Sequence, residues 1–204
     1  MFDRRSLLKS LAVPAVLAAT APAPVFAGND EPAVDDDGLY TQDWFNHSSF
    51  LVLSEDLAEA ASEGKRLAIL WEQKGCPYCR ELHRVNLAKP EIRDFIKENY
   101  TILQLNVWGS KKVTDFDGEE LEERALARKW RVNFTPTFAF FAPKASETYD
   151  KTEVQRMPGY FKPFHFITMF EYVKEEAYQK QGFQKYLQAR FERLKAEGKK
   201  PSVW

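Results

Sequence analysis

The sequence is short of cysteine, of histidine and of surplus charge, and each shortage closes off a class of function. Its 204 residues include two cysteines and three histidines. With one C-x-x-C and no second, a four-sulfur zinc site cannot be assembled. The residue after the second cysteine is Arg80, where covalent haem attachment requires His. Lys plus Arg number 29 against 30 Asp plus Glu, a net charge of −1, so nothing advertises a nucleic-acid partner. A membrane-spanning helix needs about 20 apolar residues in a row. The stretch from Leu7 to Ala21 falls short of that and is interrupted by Ser10, Pro14 and Thr20. No internal repeat is visible.

What is present is apolar and aromatic: 44% hydrophobic and 14% aromatic, with 16 Phe, enough for one packed domain and too little chain for two ordinary ones. At the start, Arg4 and Arg5 precede the modest apolar stretch, and Val25 and Ala27 suit a signal-peptidase site. Residues 1–27 therefore read as a signal peptide, and the mature protein as exported and not membrane-spanning. The run Asp3 to Lys9 is similar to a twin-arginine export signal, with Asp3 and Leu7 departing from it. Residues 28–49, ending their acidic part in Asp35-Asp36-Asp37-Gly38, read as a flexible leader. The folded domain is expected over 50–180, and a C-terminal helix and tail over 181–204.

Periodicity fills in the domain. Ser54 is positioned to cap a helix that carries Glu55 and Asp56 in its first turn and stops at Gly64. Arg66 to Trp71 is apolar on both parities, as in a strand buried on both faces. A helix is expected from Cys76 to about Ala88, broken at Lys89-Pro90, then a second helical segment through Ile92, Phe95 and Ile96. Thr101 to Trp108 reads as a strand, Gly109 to Gly118 as a polar loop, and Glu119 to Trp130 as a helix. Thr137 to Phe141 reads as a strand, and a further strand leads to Met157-Pro158-Gly159-Tyr160. Pro163 opens a helix with Phe166, Ile167, Phe170 and Val173 on one stripe, and a last helix runs from Phe183 to before Gly198. This is an α/β sandwich around a mixed sheet. Trp71, Trp130, Phe138, Phe140 and Phe141 fall in apolar runs and are assigned to the core.

Cys76 and Cys79 stand three residues apart, so a bridge between them closes too small a loop to stabilise a fold. Placed at a helix N-terminus with Pro77 in the first turn, Cys76 gains the local positive potential that favours a thiolate, and Cys79, one turn further in, can resolve a mixed disulfide on it. Two other readings stay open on the residues alone: a metal such as copper held by Cys76, Cys79 and His83, and an inert pair. Glu72 is the nearest upstream acid, on the same strand face as Leu70; it serves either proton transfer or solvation of a strand end. Lys74 is read as a surface lysine, and Trp204 carries no assignment.

The combination of Leu67 to Trp71, Gly75-Cys76-Pro77-Tyr78-Cys79-Arg80-Glu81-Leu82, Ala127 to Val132, Phe134-Thr135-Pro136-Thr137-Phe138 and Met157-Pro158-Gly159-Tyr160 resembles the thioredoxin superfamily and, more narrowly, the periplasmic thioredoxin-like proteins of the SoxW type. The resemblance covers about Phe50 to Val173 and leaves out the leader and the last helix. It implies a thioredoxin fold and a periplasmic thiol-disulfide oxidoreductase that uses no cofactor beyond a redox-active Cys76-Cys79 disulfide and holds no metal. It implies that Pro136 is a cis-proline facing the cysteines, that Thr135 contacts cysteines and substrate, and that Gly159 lies at a bend beside the same groove, which Pro77, Tyr78 and Tyr160 border. It implies partners of two kinds: exported proteins with disulfides, a sulfur-oxidation carrier among them, and a membrane electron-donor protein. Oxidase or isomerase activity is the enzymatic alternative. Where many thioredoxins carry a buried Asp, this chain has Leu70.

Overall fold

The computed structural model describes residues 31–199; the expected signal peptide, the rest of the chain to Asp30, and the tail from Lys200 to Trp204 lie outside the described residues. A four-stranded sheet in the order β2-β1-β5-β6 forms the centre, built from β1 (Arg66–Glu72), β2 (Tyr100–Asn106), β5 (Thr137–Phe141) and β6 (Glu153–Pro158). The pair β1 and β2 is parallel, while β5 runs antiparallel to both β1 and β6. The sheet is thus mixed, as expected, and its central strand has neighbours on both edges.

Every residue of β1 is buried, because its side chains alternate between two apolar layers. Leu67, Ile69 and Trp71 pack with Leu53 and Leu57 of α1 (Leu53–Ser62) and Leu126 of α4 (Glu123–Lys129). Ala68 and Leu70 face the other layer, with Ile92 and Ile96 of α3 (Pro90–Asn99) and Phe166 and Phe170 of α6 (Pro163–Lys174). Helices cover both faces of the sheet, and an additional C-terminal helix, α7 (Phe183–Ala196), buries Tyr186 against this second layer. Trp71, Trp130, Phe138, Phe140 and Phe141 are core residues.

Three local expectations are corrected. Ser54 does not cap α1: the helix starts at Leu53, Val52 occupies the capping position without a side-chain bond, and the burial of Leu53 and the bridge from Val52 to Thr114 set the start instead. The expected helix from Glu119 begins only at Glu123. Its first residues form β4 (Glu120–Glu122), which pairs with β3 (Lys112–Thr114) inside the segment read as a polar loop, where Val113 is fully buried. The helix after Cys76 keeps its expected extent, as α2 (Pro77–Glu81) continued by a π turn over Leu82–Leu87. A short α5 (Tyr149–Thr152) precedes β6.

The described part of the segment read as a flexible leader, residues 31–49, is packed on the domain. Leu39 and Phe45 are buried, Phe45 within the second layer. Tyr40 O accepts a hydrogen bond from Gln104 Nε2 of β2 at 2.5 Å, and Asn46 N donates to Ile102 O at 2.9 Å. The acidic composition suggested solvation, but two well-spaced apolar side chains are enough to hold this strap against the edge strand.

Candidate active site

The turn after β1 brings Cys76 to the start of α2. Gly75 turns with φ +71°, a conformation that favours glycine, and Cys76 then caps the helix in an extended conformation with Pro77 in the first turn. The Cys79 backbone N–H donates to Cys76 Sγ at 3.1 Å. That bond favours negative charge on this sulfur over its neighbour. The two cysteines are joined as a disulfide with their Cα atoms 5.2 Å apart. Cys76 keeps 2% exposure and Cys79 none, an asymmetry that makes Cys76 the one an incoming group can meet first.

The opposing wall comes from the segment before β5. The Thr135-Pro136 peptide is cis. Thr135 Oγ1 donates toward Cys76 Sγ at 3.5 Å, and the Thr135 carbonyl oxygen lies 3.6 Å from the same sulfur. Thr137 Oγ1 donates to Phe134 O at 2.8 Å, and Gly159 N donates to Pro136 O at 2.7 Å with Gly159 at φ +84°. Thr135, Pro136 and Gly159, distant in sequence, are therefore joined into one wall facing Cys76. Tyr78 is 62% exposed at the mouth. Tyr160 is half-buried, donates to Asn86 Oδ1 at 3.1 Å, and burial raises its pKa.

Glu72 is wholly buried, which removes the reading of a solvated strand end. Its Oε2 accepts from Gln104 Nε2 at 2.5 Å and stands 3.3 Å from His83 Nε2, while Oε1 has no partner. His83 is itself buried, with Nδ1 3.0 Å from Gln42 Nε2. Both ring nitrogens are thereby engaged within the protein, so the ring that a copper site would require is committed to Gln42 and Glu72. Leu70 is core, opposite Phe138. Lys74 is exposed, its aliphatic stem lying against Gly38. Arg80, directly after Cys79, makes a bidentate pair with Glu31, with Nε and Nη2 at 2.7 and 2.6 Å.

Gln42 and His83 stand 41 positions apart, and Glu72 and Gln104 32, so no local pattern announces their network. Trp108 and Phe134 are 71% and 65% exposed, which a strand end and the motif around Thr135-Pro136 do not reveal. The available signal was a lone Trp against Gly109 and a Phe immediately before Thr135-Pro136.

A thioredoxin-like domain family matches residues 53–174. No curated protein matches the chain. Among solved structures, a thioredoxin-fold protein from Helicobacter pylori is 22% identical, with 68% of this chain and 94% of that one covered at a TM-score of 0.47. A thioredoxin from Thermus thermophilus is 26% identical over 60% and 83% of the two chains, also at 0.47. The C-terminal domain of DsbD from Neisseria meningitidis, in its oxidised form, is 17% identical over 58% and 90%, at 0.39. Since the family match spans more than half of the chain and takes in the cysteine pair and both walls of its site, the protein belongs to the thioredoxin-like domain family.

Proposed function

We propose that the protein is an exported thiol-disulfide oxidoreductase that works as a reductase of disulfides in periplasmic partner proteins. The observation that carries this reading is the placement of Cys76 Sγ, capped by the Cys79 N–H on one side and touched by Thr135 on the other, with its bonding partner Cys79 sealed behind it. In the dithiol state the Cys76 thiolate attacks one sulfur of a partner disulfide. One partner sulfur leaves as a thiolate and takes up a proton, and the other stays bonded to Cys76. The Cys79 thiolate then attacks Cys76 Sγ, releasing the second partner thiol and closing the Cys76-Cys79 bond. Two electrons and two protons pass to the partner, so a dithiol donor must restore the cysteines. A membrane electron-donor protein is assigned that part, and no other cofactor or metal enters.

The walls supply orientation. Pro77, Tyr78, Thr135, Pro136 and Gly159 are assigned to the groove that holds the partner chain against Cys76. Glu72 is assigned the proton of Cys79. It lies on the layer of β1 that the motif helix covers, it is out of solvent, one of its oxygens is unpartnered, and its neighbour His83 is one helical turn beyond Cys79. The reducing direction rests on the SoxW-type resemblance, which also suggests a sulfur-oxidation carrier as the partner.

Trapping tests the roles. Cys79→Ala expressed in the native host leaves partners attached to Cys76, releasable by dithiothreitol, whereas Cys76→Ala captures none. Equal capture by both variants, or none by either, contradicts the assignment. Equilibration in glutathione buffers then fixes direction: a potential near −270 mV, at the reducing end of this fold's range of about −270 to −120 mV, fits a reductase, and one near −120 mV overturns it.

A further inference from the structure

Five large apolar side chains among the described residues are exposed, and three of them gather at the redox centre: Tyr78, Trp108 and Phe134. Trp108 and Phe134 line a cleft of about 510 Å³ that also includes Thr135, the residue in contact with Cys76 Sγ. Exposed aromatics in a group mark contact surfaces more often than accidents of packing. Trp108 is held in place. Trp108 Nε1 donates to Gln73 Oε1 at 2.9 Å, and its backbone N–H donates to Asn106 Oδ1 at 3.0 Å. The loop beneath is tied to the start of α4: the buried Glu123 carboxylate accepts from Asn106 N at 2.9 Å and Lys111 N at 3.2 Å, and Arg124 N donates to Gly109 O at 3.1 Å. A Cβ at Gly109 would land on that carboxylate, so a larger residue there displaces it. An indole left in solvent yet fixed by its own N–H and by its backbone forfeits little entropy when a ligand covers it.

The charge in the cleft is of one sign. Its floor includes Ala127, Val107 and Val132, and among the described residues its only charged lining side chains are Arg124 and Arg128, one helical turn apart on α4. Arg124 is shared with Glu122 at 2.7 Å. Arg128 has no ion pair among the described residues. A guanidinium beside a rigid aromatic wall is suited to a carboxylate next to an aromatic or large aliphatic side chain.

We propose that this cleft selects the substrate: it takes the segment of a partner protein that carries a large apolar side chain and a carboxylate beside the reacting cysteine. The inference rests on the exchange reaction proposed above. Generic disulfides meet Cys76 without this contact, whereas an acidic-aromatic partner gains residence time against Trp108 and Arg128.

Two peptides, each with one cysteine capped by mercaptoethanol as a mixed disulfide, test it. One carries Phe and Asp beside the cysteine and the other Ser and Lys, and the uncharged hydroxyethyl disulfide is run alongside. For reduced wild type, kcat/KM on the Phe-Asp peptide exceeds that on the Ser-Lys peptide by about tenfold or more at low ionic strength, and the ratio falls as salt screens the exposed guanidinium. Arg128→Glu reverses the charge part of the preference, and Trp108→Ala lowers the ratio through KM. Equal kcat/KM on the two peptides with hydroxyethyl disulfide still reduced, or a ratio unmoved by Arg128→Glu, overturns the cleft assignment and leaves the exchange reaction standing. Failure of wild type on all three substrates overturns both.

Discussion

His83 Nε2 stands 3.3 Å from Glu72 Oε2 with neither side chain reaching solvent. The amide of Gln42 donates to His83 Nδ1 at 3.0 Å, which makes Nδ1 the acceptor and leaves the ring proton on Nε2, pointed at Glu72. The carboxylate thus receives two donors on one oxygen and none on the other. If that free oxygen handles the Cys79 proton, Glu72→Gln slows resolution of the mixed disulfide by about 100-fold at neutral pH, within the usual range for a positioned acid or base. The deficit shrinks as pH rises and Cys79 ionises unaided. Stopped-flow release of the second thiol between pH 6 and 9 reads this, and a pH-independent deficit contradicts it. His83→Leu removes one of the two donors to a buried carboxylate, leaves the Gln104 donor, and costs about 1–3 kcal/mol, much of which the Glu72→Leu/His83→Leu pair restores in urea unfolding.

Phe45 lies in the strap that composition marked as a leader, yet it is buried, with its ring 5.9 Å from that of His83. Truncation to Ala removes a core aromatic, so Phe45→Ala is expected to cost about 3–5 kcal/mol by chemical unfolding. A cost under about 1 kcal/mol, the size expected at an exposed site, would mean that the strap is only loosely attached.

Glu123 connects stability to pH. Burial holds its carboxyl above the usual value, against the pull of the Asn106 and Lys111 backbone donors. The folded protein therefore binds this proton more tightly than the unfolded chain does. The contribution is largest below the ordinary value of 4.5 and is lost as pH rises through the raised one. The stability difference between wild type and Glu123→Gln, measured by urea unfolding from pH 4 to 7, should fall as pH rises. A difference that grows with pH would reverse the assigned direction.

The sheet and the cysteine pair were legible because their signals are local. β1 is a continuous apolar run, Pro90 breaks a helix, and Cys76-Pro77-Tyr78-Cys79 carries its chemistry within four residues. The errors fall where tertiary contacts override local preference. Ser54 lost the capping position because Leu53 is buried, and the hairpin of β3 and β4 formed inside a polar stretch because Val113 reaches the first layer. Glu72 could be named from its spacing, but its burial could not, since Gln104 and the strap that brings Gln42 close the space around it. The cleft beside Thr135 needed β2, α4 and the segment before β5 assembled together before its charge could be read.

Lys129 is the hub of the acidic hairpin loop, with Nζ 2.7 Å from Asp115 Oδ2, 2.5 Å from Asp117 Oδ2 and 2.9 Å from Glu119 Oε2. Asp115 is buried and also accepts from Trp130 Nε1 at 3.1 Å. The hydrogen bond from Lys129, followed by that from the Glu119 backbone, holds the Asp117 carboxyl below its ordinary value of 3.8. Stability from Asp117 is therefore present above that value and lost as pH falls through the depressed one. Lys129→Met removes the cation and leaves the Asp115 carboxylate buried without it, so the variant is less stable at pH 7. Its deficit should narrow as acid neutralises Asp117, giving a shallower loss of stability below about pH 4 than wild type shows. Parallel acid limbs for the two proteins in urea titrations from pH 2 to 7 would show that the lysine does not govern the Asp117 carboxylate.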